Sequence, residues 1–505
     1  MAKYFMGIDV GTYESKGVII NDKAEVVCSA ATPHGLENPK PHYFEHDADT
    51  VWWGDICKLT KTLLETSGLA NTEIAAFGCS TLAADVLPVD ENCTPLRKGI
   101  LYGIDSRATE EIKYLEEYYG DRLDELWGGE ELCSSDCMPK VLWIKNNEPE
   151  VYEKTYKFLT ASSYITAKLT GKYVIDRYLA VSSFIPCYRP DLSIDDKLAR
   201  ECYCRGDQLA EGHEVTDVVG YVTAEAARET GLAEGTPVIT GTDDSGAEAI
   251  SAGVLQPGDL MVQLGSTCYI IYCSDQLIHD DRIWEEDSLI PGRYSIDGGT
   301  NAAGALTKWM RDTFFPDLVR EQEAGGENAF TALTKLAANV PAGAGGLVVL
   351  PYFSGERTPI NDSEAKGIIF GLQFHHTRDQ IYRAGLEGVA CSVAQHIDIL
   401  EEHGLKINNL MCTGGGTRNP VWLQIIADMT GHEVKTPEVT LGASYGDALM
   451  AGIGVGCFQG FPDLSRYIRV GNVYRPDPEK AGLYAKIKDI YGKLYEANKD
   501  LMHEL

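Results

Sequence analysis

Two apolar hairpins with glycine-bearing turns, set about half a chain apart, constrain this sequence more than any other feature. Near the N-terminus Tyr4-Phe5-Met6-Gly7-Ile8-Asp9-Val10 runs into Gly11-Thr12 and then into residues 13–20. Asn21-Asp22 next turns the chain toward a strand around Val26-Val27-Cys28. This is the pattern of an antiparallel meander with a polar first turn. It returns at residues 260–264, Gly265-Ser266-Thr267 and residues 268–272. One such turn reads as an ordinary hairpin, whereas two suggest a duplicated unit whose turns face each other. Backbone N–H groups and a hydroxyl on such a turn suit phosphate oxygens, so facing turns would clamp a polyphosphate. Asp9, at the strand end before the first turn, is placed to hold a divalent cation directly or through water.

At 505 residues the chain exceeds what one hydrophobic core supports. Pro257-Gly258-Asp259 is a natural boundary, which gives domains over 1–255 and 256–505. Lys and Arg number 44 against 75 Asp and Glu, a formal charge of −31. Such a surface repels nucleic acid and anionic membranes, and excludes both as partners. An anionic ligand such as ATP would then depend on backbone amides and a metal ion. The 14 cysteines show no four-ligand zinc spacing and read as reduced, mostly buried thiols. No apolar run reaches transmembrane length and the start lacks a secretory profile, so a cytoplasmic location is expected.

Residues 240–249, Thr-Gly-Thr-Asp-Asp-Ser-Gly-Ala-Glu-Ala, follow the apolar Pro237-Val238-Ile239. They place Asp243 and Asp244 where a strand gives way to a helix over 245–253. Amides at a helix start favour an ionised acid, and such a carboxylate can take a proton from an attacking alcohol. Both acids could equally cap the helix. Strands are expected near 74–79, 86–89 and 99–102, and helices near 107–119, 140–146, 162–169, 303–314 and 378–403. This alternation predicts α/β architecture in both halves. Gly385 and Gly388 predict close packing of the last of these helices. A final helix near 478–501 places Leu483, Ile487, Ile490, Tyr491 and Leu494 on one face.

Gly414-Gly415-Gly416 ends a further strand, and Asn419-Pro420 opens a helix that runs to about Thr430. Asn as cap and Pro at the first position are ordinary helix chemistry. Three glycines either make a tight turn or let backbone approach a ligand closely. The stretch is neither a P-loop nor a dinucleotide fingerprint, so a nucleotide site here is of another kind.

Five stretches occur in a characteristic order. They are Gly7-Ile8-Asp9-Val10-Gly11-Thr12; residues 240–249; Leu350-Pro351-Tyr352-Phe353-Ser354-Gly355-Glu356-Arg357-Thr358-Pro359; Gly367-Ile368-Ile369-Phe370-Gly371-Leu372 with Glu387-Gly388; and residues 414–419. Together they resemble the FGGY carbohydrate kinases, in the xylulokinase-like branch. Glu45-His46-Asp47 with Trp52 resembles a family stretch near the substrate cleft. The resemblance implies an α/β fold of two actin-like (RNase H-like) ATPase domains flanking an interdomain catalytic cleft. It implies ATP and Mg2+ as cofactors and a small sugar as partner, and it allows a homodimer. It places the catalytic base on Asp244, through the pattern Gly241, Asp244, Ala247, and leaves Asp243 as a cap or a water-mediated metal contact. Asp9 matches the metal-associated acid, and Gly11 and Thr12 the first phosphate turn. Gly265 and Ser266 match the second, with Gly304 nearby, while Gly415, Gly416 and Asn419 match the stretch that receives adenosine.

The substrate loop departs from the family. Glycerol kinases present Arg-Glu there and xylulokinases Met-His, whereas this chain reads Ser80-Thr81-Leu82-Ala83-Ala84-Asp85. Asp85 is a candidate substrate ligand, since a carboxylate can accept from two vicinal hydroxyls, and otherwise a turn residue. Tyr102 sits where relatives carry Trp, beside the sugar. Asp105 and Arg107 either line the cleft or start a helix. The implied activity is ATP-dependent phosphorylation of a pentulose such as xylulose. Another ketose, a sugar alcohol or a sugar acid are alternatives, as is an actin-like ATPase without sugar transfer.

Overall fold

The computed structural model describes residues 3–127 and 132–505. Two compact units emerge. One comprises Met1–Ser251, Glu286–Arg293 and Leu441–Ile468; the other comprises Ala252–Glu285, Tyr294–Thr440 and Arg469–Leu505.

The first unit is built on β1 (Tyr4–Val10), β2 (Glu14–Asn21), β3 (Val26–Pro33), β4 (Ile74–Thr81), β5 (Val218–Tyr221), β6 (Pro237–Ile239) and β7 (Thr242–Asp243). The sheet runs β5–β6–β4–β1–β2–β3, with β7 also paired to β4. Phe5, Met6, Ile8 and Val10 of β1 are fully buried, as expected of a central strand covered on both faces. The helix Ala443–Gly454 lies directly on β1 and β4. A Cβ added to Gly7 would come 2.1 Å from the Ser444 carbonyl, and one on Gly78 2.7 Å from that of Asp447. At Gly446 the added atom would lie 2.0 Å from the Ala247 carbonyl, on the helix Asp244–Ser251. Backbone therefore rests on backbone at all three points, which is why residues 441–468 belong with the first unit. A single boundary after residue 255 does not describe this arrangement, because the chain returns to its first unit late.

The second unit repeats the pattern with β8 (Asp259–Leu264), β9 (Cys268–Ser274), β10 (Tyr294–Thr300), β11 (Asn409–Thr413), β12 (Val434–Pro437) and β13 (Val470–Tyr474), in the order β10–β9–β8–β11–β12–β13. In both units the first strand pairs antiparallel with the second and parallel with the fourth. The duplication read from the two hairpins is present in the topology.

The helix Arg378–Glu402 starts at a Thr377 capping box closed by Gln380. Its Gly388 lets the Val349 backbone approach, since an added Cβ would lie 2.3 Å from that carbonyl. The final helix, Ala481–Met502, buries Tyr484, Ile487, Tyr491 and Leu494, but Leu483 is 39% exposed. Tyr484 replaces it on the inner face because its hydroxyl donates to buried Glu387, at 3.2 Å. Ten of the fourteen cysteines are buried and none forms a disulfide. Among the described residues no helix is long and apolar enough to cross a membrane.

Candidate active site

In the first unit the parallel strands β1, β4 and β7 end along one edge of the sheet, where α/β folds carry their ligands. Asp9 lies across from Ser80, and Thr242 and Asp243 across from Ser80 and Thr81. This register gathers residues far apart in sequence.

The two adjacent acids have different environments. Asp243 is buried; its Oδ2 accepts from the Gly246 amide at 3.0 Å and from the Ser245 hydroxyl, so it caps the helix that follows. Asp244 keeps part of its surface open. Burial raises its pKa well above the usual carboxylate range, and the charges of Asp9, Asp243 and Glu248 raise it further.

Asp9 is partly exposed, yet its Oδ1 is buried without a hydrogen-bond partner. Burial pushes Asp9 up to about 7, against the pull of Lys16. A fourth acid, Asp447, comes from the helix on the far side of the sheet in sequence terms. It is fully buried; Oδ2 accepts from the Ser80 hydroxyl at 2.8 Å, and Oδ1 has no partner. Sequence reasoning missed Asp447. The available signal was an acid set among Ala, Gly, Leu and Met in an otherwise apolar helix.

A buried, unpartnered carboxylate oxygen among mutually repelling acids suits a hard divalent cation. No group of three or more metal-binding side chains forms a ready cage among the described residues. Such an ion would therefore complete its shell with phosphate oxygens and water, as magnesium commonly does.

The first turn joins this cluster. The Thr12 hydroxyl and the Tyr102 phenol lie 3.1 Å apart. Burial raises the Tyr102 pKa, and the charge of Asp244 contributes to that rise. Asp9, Gly11, Thr12, Tyr102 and Asp244 thus form one neighbourhood.

Asp85 is not available to a ligand. It is fully buried, and its two oxygens accept from the Ala161 amide at 3.0 and 3.2 Å, at the start of the helix Ala161–Thr170. Asp85→Ala is expected to cost about 1–3 kcal/mol of stability, the penalty for stranding a buried amide. The folded variant should keep its KM for sugar; melting curves and steady-state kinetics on one preparation check both.

Asp105 and Arg107 form a buried ion pair rather than a lining. Arg107 donates from Nη2 to Asp105 at 2.7 Å and from Nη1 to Glu45 at 2.8 Å. In the Glu45-His46-Asp47 stretch, Glu45 is thus held by arginine, and Asp47 caps a helical turn through the Thr50 amide at 2.9 Å.

The second unit places its own glycines together. The Gly304 amide donates to the Gly265 carbonyl at 2.9 Å, and the Ala303 and Ala305 amides to Ser266 at 3.0 and 2.9 Å. Glu356, from the Ser-Gly-Glu-Arg-Thr-Pro run, accepts from the Asn301 amide at 2.9 Å and so braces the link between β10 and the helix Gly304–Phe314. Gly414 adopts φ +80°, and an added Cβ would lie 2.7 Å from the Leu264 carbonyl, immediately before the second turn. Gly416 packs on the Leu264 side chain, while Gly415 faces open space. Asn419 accepts from the Val421 and Trp422 amides at 3.1 and 3.2 Å and caps the helix that follows. Of the glycines assigned to adenosine, Gly415 has open space where a Cβ would lie and Gly416 does not.

The family model for the N-terminal domain of the FGGY family of carbohydrate kinases matches residues 4–251, and that for the C-terminal domain matches residues 260–455. The chain belongs to the FGGY family of carbohydrate kinases. This kinase is 28% identical to the xylulose kinase of Staphylococcus epidermidis, over 99% of this chain and 98% of that one. It is 26% identical to the gluconokinase of Bacillus licheniformis, over 98% and 96% of the two chains. Among solved structures it is similar to xylulose kinase from Rhodospirillum rubrum, at TM-score 0.89 and 30% identity over 99% and 100% of the chains. The expected FGGY fold and sugar-kinase class therefore stand.

Proposed function

We propose that this kinase transfers the terminal phosphoryl group of ATP to a hydroxyl of a pentulose such as xylulose, with Asp244 as general base. The observation that carries the reading is the division between the two neighbouring acids. Asp243 is occupied as a cap, whereas Asp244 remains partly open beside Tyr102 and the first glycine turn.

A sugar hydroxyl beside Asp244 loses its proton to that carboxylate as its oxygen attacks the terminal phosphorus, and the bond to the bridging oxygen breaks so that ADP leaves with its electron pair. Burial and like charges make Asp244 more basic than a free aspartate. Phosphoryl transfer leaves little covalent work to a protein beyond positioning and charge neutralisation. The amides of the Gly11-Thr12 and Gly265-Ser266 turns serve the phosphates, and open Gly415 the nucleoside. Mg2+ would be held by Asp9, whose orphaned oxygen fits it, and when bound supplies charge neutralisation at phosphate oxygens.

The similarity to xylulose kinases in sequence and in solved structure supports the pentulose. A sugar acid is the second reading, favoured by the gluconokinase relative of nearly equal identity. A coupled ADP-release screen over ketoses, polyols and sugar acids tests both. Turnover is expected to be highest with xylulose; a higher kcat/KM with gluconate would establish the alternative, and sugar-independent turnover would overturn the kinase reading.

A further inference from the structure

The Gly11-Thr12 turn is tied from behind by two imidazoles, neither of which the reaction uses. His34, just after β3, places Nε2 3.0 Å from the Gly11 carbonyl and Nδ1 2.8 Å from Asp55 Oδ2. A carbonyl and a carboxylate can only accept, so both ring nitrogens donate and the ring is an imidazolium. The Ser15 hydroxyl donates to the same Asp55 oxygen at 2.7 Å and fixes the carboxylate. His46 places Nε2 3.1 Å from the Thr12 carbonyl, and its Nδ1 accepts the indole N–H of Trp52 at 3.1 Å. That arrangement requires a neutral ring with its proton on Nε2. The rings meet edge to face with centroids 5.1 Å apart. Burial and the neighbouring His34 pull His46 down to about 4. Burial would also lower His34, but the hydrogen bond and charge of Asp55 prevail and raise it.

The third carbonyl in succession, that of Tyr13, accepts from the His34 backbone amide at 2.9 Å. In a trans peptide C=O and N–H point in opposite directions. Tying back the carbonyls of Gly11 and Thr12 therefore aims the amides of Thr12 and Tyr13 at the opposite face. Among the described residues neither amide has a protein acceptor. The second unit secures its turn by the same device, with the Gly265 and Ser266 carbonyls held by backbone amides of residues 303–305. There the ties are main chain; in the first unit two of the three are side chains and can be removed singly.

We propose that His34 and His46 are positioning residues for the phosphoryl donor: they hold the turn's carbonyls back so that its free amides stay directed at phosphate. This rests on the Gly11-Thr12 turn being a phosphate site. His46→Ala is expected to raise KM for ATP about tenfold, the scale of one lost buried hydrogen bond, with kcat and KM for sugar changed less than about threefold. His46→Gln, whose amide nitrogen can reach the place of Nε2, is expected to restore most of the ATP affinity. Gly11→Val tests the phosphate reading itself. If it weakens ATP binding while His46→Ala does not, the positioning role fails and the phosphate site stands; if it leaves ATP binding unchanged, the phosphate site fails. Nitrogen-15 spectra of the histidine-labelled wild-type enzyme need no variant. They are expected to show both His34 nitrogens protonated at pH 7 and His46 protonated on Nε2 alone. A neutral His34, or a His46 protonated on Nδ1, overturns the proposal.

Discussion

Asp244→Asn is expected to lower kcat about 10²–10⁴-fold, the usual contribution of a positioned general base. The amide keeps the shape of the carboxylate and cannot take the proton. KM for ATP should stay within about threefold, because the lost interaction belongs to the transition state. The same change should leave the melting temperature level or raise it. Asp244 sits against the charges of Asp9, Asp243 and Glu248, so neutralising it removes repulsion. Asp243→Ala provides the contrast. That residue caps the helix through Gly246, and its loss is expected to cost about 0.5–2 kcal/mol. Stopped assays with xylulose and parallel melting curves separate the two outcomes. An Asp244→Asn enzyme that retains wild-type kcat would remove the residue from the role of base.

Gly446→Val carries the largest expected structural effect. The added Cβ would lie 2.0 Å from the Ala247 carbonyl, a backbone atom that cannot swing aside as a side-chain tip would. The helices Asp244–Ser251 and Ala443–Gly454 must separate, and they carry Asp244 and Asp447 respectively. A cost above about 4 kcal/mol is expected, enough to leave little soluble protein. Gly482→Ala is the matched control. It lies in the exposed start of the helix Ala481–Met502 with nothing near its missing Cβ, and should gain up to about 1 kcal/mol. Soluble yield and denaturant midpoints check the pair. Wild-type stability for Gly446→Val would mean that the contact yields easily.

The hairpins, the strand-to-helix step at Asp243-Asp244 and the α/β alternation were legible in the sequence because each is written locally, in apolar period and turn residues. The family resemblance, through one register of a short motif, singled out Asp244 and left Asp243 as a cap or a water-mediated metal contact. What stayed hidden depends on partners distant in the chain. Asp85 reads from its neighbours as a hydroxyl acceptor or a turn residue, and nothing near it reveals that the Ala161 amide occupies it. Asp447 reaches Ser80 only after the chain has built most of a second unit. His34 is a lone histidine after an edge strand, and its meaning lies in the Gly11 carbonyl and Asp55. Gly416 packs on the Leu264 side chain, a contact with a residue about 150 positions away.

The late return of residues 441–468 to the first sheet also bears on biosynthesis. A ribosome releases β1, with Gly7 bare, hundreds of residues before the helix that covers it, and the closing strand and helix of the second unit emerge later still. Neither core can be finished until these late segments have emerged. The nascent polypeptide must keep an uncovered apolar sheet from misassociating throughout, and a gene divided at the apparent midpoint would encode two fragments that each lack part of their own interior.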